Sequence, residues 1–224
     1  MELIKGVFCA GLVFALSGCM GTLGQMRDAI MNPDPEVEMQ VPRVNRAAIE
    51  QADLAAVLVL SPTIGLGTVG VAIQMREGRI VYNSNENRGV TLEGGLVYAT
   101  VGLGTNLQAV TTQSNDPLVT EARAGAWPAE VTRTYHIAQR GTAFAQITAT
   151  CRNQVGRSLS IDVAEVSRQV VEVVETCTTH AGDDFNNIHY LDAGTGRIWR
   201  TSQWTGPEQT NIQVDVIEQF DFDA

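Results

Sequence analysis

The chain has almost no lysine and is short of positive charge. Of its 15 lysine and arginine residues only Lys5 is a lysine, whereas 25 residues are acidic, so the formal net charge is -10. Proteins that bind nucleic acid need a positive face opposite the phosphate backbone. The composition therefore excludes a nucleic-acid partner. It also disfavours a protein body that lies flat on an anionic membrane.

Apolar runs long enough to cross a bilayer are missing as well. A membrane-spanning helix needs about 18 or more consecutive apolar residues. The uncharged run from Gly6 to Leu16 is shorter than that, and it follows the positive Lys5 at the N-terminus. This arrangement is typical of an export signal. We predict that residues 1–18 form a signal peptide that the mature protein lacks.

The end of this segment has the pattern of a bacterial lipobox. Leu16, Ser17, Gly18 and Cys19 provide a branched apolar residue, two small residues for a narrow peptidase site, and a thiol that accepts lipid. The alternative is a plain signal peptide with an accidental cysteine. We predict cleavage before Cys19 and attachment of acyl chains such as palmitate. Each buried methylene contributes about 0.8 kcal/mol, so two or more chains anchor the protein stably.

The residue after the lipidated cysteine bears on the membrane that receives the protein. Retention at the inner membrane usually goes with an aspartate at that position, and this chain has Met20. We therefore predict a lipid-anchored location in the cell envelope, on the periplasmic face of the outer membrane.

Cysteines are few, and the two remaining ones are informative. Cys9 is removed with the signal and Cys19 is lipidated, which leaves Cys151 and Cys177. The compartment is oxidising, so we predict a disulfide between them. The alternative is two reduced cysteines buried as small apolar residues. The spacing is not C-x-x-C, which disfavours a redox function.

The rest of the chain divides into a tether and one domain. Residues 19–46 include Asn32-Pro33-Asp34-Pro35, which resists helix and sheet, and we interpret them as the lipidated cysteine and its tether. Short helices are predicted at Leu23 to Met31 and at Arg46 to Ala52. Residues 47–224 show short apolar or alternating runs separated by glycine turns. This pattern predicts a single all-β domain whose antiparallel sheets form a sandwich or a partly closed barrel.

Several motifs suggest chemistry that their surroundings do not support. Gly65 to Gly70 matches a dinucleotide fingerprint, but a strand pattern follows it where a helix is required. His136, His180 and His189 lack ligand spacing, and Asp183-Asp184 lacks the spacing of a calcium loop. No G-x-S-x-G elbow is present. We expect no metal, no cofactor and no catalytic residues.

Aromatic residues make up only 6% of the chain, with three tryptophans, Trp127, Trp199 and Trp204. In β-sheets such residues usually pack in the core, but they also stack on sugar rings. They are therefore the candidate residues for glycan binding.

A series of short motifs runs from Arg88 to Pro207. The motifs are Arg88-Gly89-Val90-Thr91-Leu92, Gly95-Leu96-Val97-Tyr98-Ala99-Thr100-Val101-Gly102-Leu103, Asn106-Leu107, Asp116-Pro117-Leu118, Trp127, Thr132-Arg133-Thr134, Asn187-Ile188-His189-Tyr190-Leu191-Asp192, Gly196-Arg197-Ile198-Trp199-Arg200-Thr201-Ser202-Gln203 and Gly206-Pro207. In this order they resemble the YjbF/GfcB family of lipoproteins, which is linked to group 4 capsule and exopolysaccharide production. The resemblance covers most of the mature chain, although residues 156–182 align poorly and Cys151 and Cys177 depart from the family.

The resemblance implies a non-enzymatic accessory protein of exopolysaccharide or capsule secretion. Its implied partners are an outer-membrane β-barrel protein and periplasmic polysaccharide-export proteins. The alternatives are a glycan-binding or sugar-active envelope protein, which would use the tryptophans, and a structural envelope lipoprotein without a link to polysaccharide.

The lipobox leads to the first testable prediction. Cys19→Ser removes the lipid acceptor, so we expect a soluble or unprocessed product that stays out of the detergent phase in a phase-partition assay. The wild-type protein should enter that phase. Equal retention of both forms in the detergent phase would contradict the lipobox interpretation.

Overall fold

The computed structural model describes residues 39–104, 106–138, 145–207, 209 and 211–219. The predicted signal peptide, the lipobox with Cys19, and the predicted helix at Leu23 to Met31 lie outside the described residues. Within the described part of the chain, no helix is long and apolar enough to cross a membrane.

Strands dominate the described residues, and the prediction of an all-β antiparallel fold is confirmed. One short helix, α1 (Arg46–Gln51), lies at the position predicted from the sequence, and twelve strands follow it. They are β1 (Ala56–Ser61), β2 (Leu66–Arg76), β3 (Arg79–Asn83), β4 (Gly89–Glu93), β5 (Leu96–Val101), β6 (Asn106–Thr112), β7 (Glu130–Ala138), β8 (Ala145–Val163), β9 (Val166–Thr179), β10 (Asp184–Leu191), β11 (Ile198–Gln203) and β12 (Ile212–Glu218).

The strands form one sheet that is nearly closed into a barrel. Its order is β5-β4-β3-β2-β1-β12-β11-β10-β9-β8-β7-β6, so two meanders join where β1 pairs with β12. The two edge strands, β5 and β6, follow each other in the chain. They meet where the Leu107 N–H donates to Thr100 Oγ1 at 3.1 Å. Of the two predicted alternatives, the structure has the partly closed barrel.

Alternating side chains along the strands fill the barrel interior. In β7, Val131, Arg133, Tyr135 and Ile137 are buried while the residues between them are more exposed, as the period-two pattern predicts. β1 differs because it is buried on both faces. Its Val57 and Val59 point into the main core.

Helix α1 covers the outer face of β1. Ile49 of the helix packs with Ala56 and Leu58 of β1 and with Ile217 of β12. The Asn45 side chain caps the helix by accepting a hydrogen bond from the Ala48 N–H at 3.1 Å. This cover explains why the β1 sequence is continuously apolar and does not alternate.

The dinucleotide-like segment is part of the sheet. Pro62–Ile64 form a single 3-10 turn, Gly65 has a φ of 64°, and β2 then begins at Leu66. The helix that would have to follow the last glycine of a dinucleotide-binding loop is therefore replaced by a strand.

Strands β8 and β9 extend beyond their neighbours as a two-stranded arm, residues 153–170. β7 pairs with β8 only as far as Arg152, and β10 pairs with β9 only from Val171 onward. The sequence pattern predicts two separate strands in the β8 region, Ala143 to Thr150 and Leu159 to Val163. The structure has the single strand β8, with a bulge in its pairing between Val155 and Ser158. Residues 154–158 are all exposed, so burial imposes no alternation that a sequence pattern could show.

The arm folds over the outer face of the barrel. Ile161, Val163 and Val170 pack with Trp199 of β11. The arm is also held by the guanidinium of Arg200, which donates to the Asp162 carbonyl at 2.8 Å.

The base of the arm carries a disulfide. Cys151 and Cys177 are direct partners in the β8–β9 register, and their Sγ atoms lie at a bonding distance of 2.04 Å. Both residues are buried and pack against Val131 and Phe185. The two cysteines are 26 residues apart and flank the arm, so the bond closes a covalent loop that contains the whole arm.

The loop leads to a prediction about stability. The double variant Cys151→Ala, Cys177→Ala should lower the free energy of unfolding by about 3.5 kcal/mol, because the unfolded chain gains freedom when a loop of this length opens. Urea denaturation measures the change. The control is Ser160→Ala, Ser167→Ala, which removes an exposed hydrogen bond in the same arm and should cost less than about 1 kcal/mol.

Thiol labelling of the wild-type protein, unfolded without reductant, supplies the second measurement. We expect neither Cys151 nor Cys177 to react. Two reactive thiols per chain would contradict the disulfide.

Candidate functional site

A charged cluster occupies the barrel interior, centred on Arg133 of β7, whose side chain is 0% exposed. Its Nε and Nη2 atoms donate to the two carboxylate oxygens of Asp116 at 2.7 and 3.0 Å. Its Nη1 and Nη2 atoms donate to the two oxygens of Glu175 at 2.7 and 2.9 Å. Both pairs are bidentate, which is the strongest geometry available to a guanidinium.

The cluster keeps its charges despite burial. Burial alone would lower the pKa of Arg133, but the attraction of Glu175 and the hydrogen bonds to Asp116 raise it well above its usual range. Burial alone would raise the pKa of Glu175, but Arg133 and then His189 hold it well below its usual range. Arg133 and Glu175 are therefore ionised in the folded protein at neutral pH.

A chain of polar side chains continues the cluster across the barrel. The side-chain amide of Asn187 donates to the Glu175 carboxylate at 2.9 Å, and its Oδ1 atom accepts from the backbone N–H of Trp204 at 2.9 Å. His189 Nδ1 shares a hydrogen bond of 2.7 Å with Thr201 Oγ1, which also accepts from Gln203 at 2.9 Å.

Gln203 ends this chain at the edge of the sheet. Its amide donates to the Gly95 carbonyl at 2.7 Å and accepts from the Val97 N–H at 3.2 Å. On the opposite side of the interior, Asp116 accepts a hydrogen bond of 2.6 Å from Thr112 at the end of β6. The network thus links the two edge strands through the inside of the barrel.

Three members of this network have the order of a catalytic triad. His189 lies between the Thr201 hydroxyl and Glu175, with its Nε2 atom 3.2 Å from a carboxylate oxygen. All three side chains are buried, so no substrate can reach the hydroxyl in this structure. The arrangement fits a structural network better than a nucleophile and its base.

The three tryptophans predicted as candidate residues for glycan binding do not lie on one surface. Trp127 and Trp204 are half-buried against the main core, whereas Trp199 is 9% exposed and belongs to the outer cluster under the arm. Trp204 stacks on Phe185 with ring centroids 4.4 Å apart, and Trp127 is tilted against His189. The structure therefore does not bring them together into one glycan-stacking surface.

A cavity of about 250 Å³ is lined by residues of β3, β4, β11 and β12, most of which belong to the main core or pack against it. Its apolar lining includes Ile80, Leu92 and Ile198, and its polar groups include Tyr82 and Glu121. Burial raises the pKa of the Glu121 carboxyl. Burial, with a smaller contribution from Glu121, raises the pKa of Tyr82 to about 12. The volume lies below the usual range for ligand pockets, so it suits one small group.

The acidic and cysteine positions offer no open metal site among the described residues. The ligand atoms of Cys151, Glu175 and Cys177 lie within 4.8 Å of one another, but the two sulfurs are bonded to each other and cannot coordinate as thiolates. The Asp184 carboxylate accepts a hydrogen bond from Thr178, and the Asp183 N–H donates to Thr179 Oγ1. These contacts hold the β9–β10 turn.

Sequence patterns placed Arg133 on the apolar side of β7 but did not identify it as the centre of a site. The signal was available, because an arginine between Val131 and Tyr135 must be buried if the strand faces a core. Its partners could not be identified, since Asp116 and Glu175 are distant in the sequence and only the sheet register joins them.

Comparisons with known proteins agree with this fold. The family model described as "Group 4 capsule polysaccharide lipoprotein gfcB, YjbF" matches residues 26–217. The crystal structure of the hypothetical lipoprotein YmcC from Escherichia coli (K12) is similar with a TM-score of 0.69 and 16% identity, covering 92% of this chain and 100% of that one. At this identity the likeness shows the fold alone. No curated protein sequence matches the chain.

The buried cluster leads to a prediction about folding. Arg133→Met leaves Asp116 and Glu175 buried without their counter-ion, and we expect the free energy of unfolding to fall by about 3–5 kcal/mol. The control is Arg152→Met in the adjacent β8. Its salt bridge with Glu130 is 80% exposed on the arginine side, so its loss should cost less than about 1 kcal/mol.

Denaturation followed by tryptophan fluorescence measures both changes, since Trp127 and Trp204 contact members of the network. Equal, small effects of the two substitutions would show that the buried charges do not hold the barrel together.

Proposed function

This chain belongs to the YjbF family of group 4 capsule polysaccharide lipoproteins, and we propose that it is a non-enzymatic accessory protein of capsule or exopolysaccharide secretion. The observation that carries the proposal is the match of the family model over residues 26–217, which includes almost the whole barrel. The lipoprotein family implies a membrane-anchored protein of the cell envelope.

The finer location that we propose is the periplasmic face of the outer membrane. The support is the lipobox at Cys19 followed by Met20, because an inner-membrane lipoprotein usually has an aspartate at that position.

The absence of catalysis is part of the proposal, and the polar groups of the interior support it. Asp116 and Glu175 are both held by Arg133, and the Thr201 hydroxyl is buried. Glycoside hydrolysis normally uses two carboxyl groups that face the sugar. Among the described residues that line the cavity, Glu121 is the one carboxylate. This geometry disfavours the sugar-active alternative.

The partners that we propose are an outer-membrane β-barrel protein and periplasmic polysaccharide-export proteins. An accessory protein without a reaction of its own must act by contact, either with the export machinery or with the polymer. A lipid-anchored barrel in the cell envelope is suited to both kinds of contact.

Deletion of the gene in a strain that makes the polymer tests the proposal. We expect less polysaccharide at the cell surface, measured by uronic-acid assay or by immunoblot of surface polymer. A plasmid copy of the wild type should restore it, as should Arg152→Met, whereas Cys19→Ser should not. Unchanged surface polymer in the deletion strain would contradict a role in secretion.

A further inference from the structure

Two arginines converge on the ring of Trp199 at the outer face of the barrel. The guanidinium carbon of Arg168, on the arm, lies 3.8 Å from the ring centroid, and that of Arg197 lies 5.7 Å from it. The two residues come from different parts of the chain, β9 and the loop before β11. The fold therefore brings together two positive groups that the sequence separates.

Neither guanidinium has a carboxylate within salt-bridge distance among the described residues, whereas Arg79, Arg133 and Arg200 all do. The Nε atom of Arg168 is buried and donates to no acceptor in the described part of the chain. A buried donor without a partner is costly. The ring face of Trp199 attracts the Arg168 guanidinium through a cation–π interaction, but the ring does not accept a conventional hydrogen bond from Nε.

The charged residues around Arg168 are mostly positive as well. Burial lowers the pKa of Arg168, and the positive charges of Arg46 and Arg197 lower it further, with only Glu218 acting in the opposite direction. Glu218 is itself engaged by Arg46 at 3.2 Å. In a chain with a net charge of -10, Arg46, Arg168 and Arg197 form a locally positive group, and Glu121 and Asp192 are carboxyl groups on which the charge of Arg197 acts.

The arginines lie beside the cavity described above. Val216 both lines the cavity and packs with the Trp199 cluster. The positive charge of Arg197 also acts on the cavity residue Glu121. An anionic group and the neutral body of one ligand can therefore be bound side by side.

We propose that Arg168 and Arg197 bind the carboxylate or phosphate group of an acidic polysaccharide, with the attached sugar residue at the mouth of the cavity. The inference rests on the proposed function and names its ligand class. Arginine suits this task because its planar fork of donors matches the oxygens of a carboxylate or a phosphate. Hydroxyl groups of the sugar can donate to Glu121.

A polysaccharide fits this region better than an anionic bilayer does. Charges separated by more than about 8 Å are largely screened at physiological ionic strength. An extended polymer therefore interacts mainly with the local positive cluster, whereas a flat membrane would meet the surrounding acidic surface.

Binding to the full-length lipoprotein in neutral detergent micelles tests the proposal, with sodium polygalacturonate as the acidic probe and dextran as the neutral one. We expect wild type to bind polygalacturonate at low salt and not dextran. Arg168→Gln, Arg197→Gln should weaken binding by about tenfold or more, since each arginine contributes a charge-assisted hydrogen bond. The control, Arg152→Gln, makes one such charge change in the part of β8 that pairs with β7 and should leave binding unchanged.

The variants also need a fold control, because Arg168 packs on Trp199. Circular dichroism and thermal melting should match wild type. Arg168→Lys serves as a second probe, since it keeps the charge but loses the planar stacking, and it should bind more weakly than wild type and better than Arg168→Gln. Equal affinity of wild type and the double glutamine variant would overturn the proposal.

Addition of phosphatidylglycerol to the micelles separates the two sources of an anion. We expect it to leave polygalacturonate binding intact. Loss of polymer binding, together with lipid retention that depends on Arg168, would overturn the saccharide assignment in favour of a lipid headgroup.

Secretion assays keep this inference distinct from the proposed function. If the deletion reduces surface polymer and the double glutamine variant restores it fully, the arginine site is wrong while the secretion role stands. If the deletion has no effect on surface polymer, the secretion role itself is wrong, whatever the variant binds in vitro.

Discussion

The ion pairs of Arg133 constrain the whole barrel. Arg133 comes from β7, Glu175 from β9 and Asp116 from the loop after β6, so the three meet only when these elements pair in one register. A slip of one residue would turn one partner to the opposite face of the sheet and leave the others buried and unpaired. Buried ion pairs contribute little net stability relative to apolar packing, but broken ones are costly. The main effect of this cluster is therefore to select one pairing register of the strands.

The same network supports the weakest point of the sheet. β5 and β6 lie at the edges and are joined across the seam by a side chain, since Leu107 donates to the Thr100 hydroxyl. Inside, Gln203 bonds to the backbone of Gly95 and Val97, at the start of β5. Polar contacts through the interior thus support a closure that strand pairing does not complete. This accounts for the many polar residues buried in a small barrel.

Outside the barrel, the arm combines covalent restraint with the binding role proposed for Arg168. The disulfide of Cys151 and Cys177 fastens its base, and contacts with Trp199 hold its far part against the outer face. Arg168 lies on this arm, so its position over the indole depends on both restraints.

The sequence by itself determined the all-β class, the alternating burial of β7 and the family, because these depend on local pattern and residue order. The export signal with its lipobox lies outside the described residues and stays a prediction. The long β8 was missed where residues 154–158 are exposed on the arm, since a pattern records burial and not pairing. Only the tertiary structure decided that the sheet curls into a barrel, that Arg133 meets Asp116 and Glu175, and that Arg168 meets Arg197 over Trp199. These are contacts between residues far apart in the chain, which strand register and sheet curvature bring together and which no local pattern encodes.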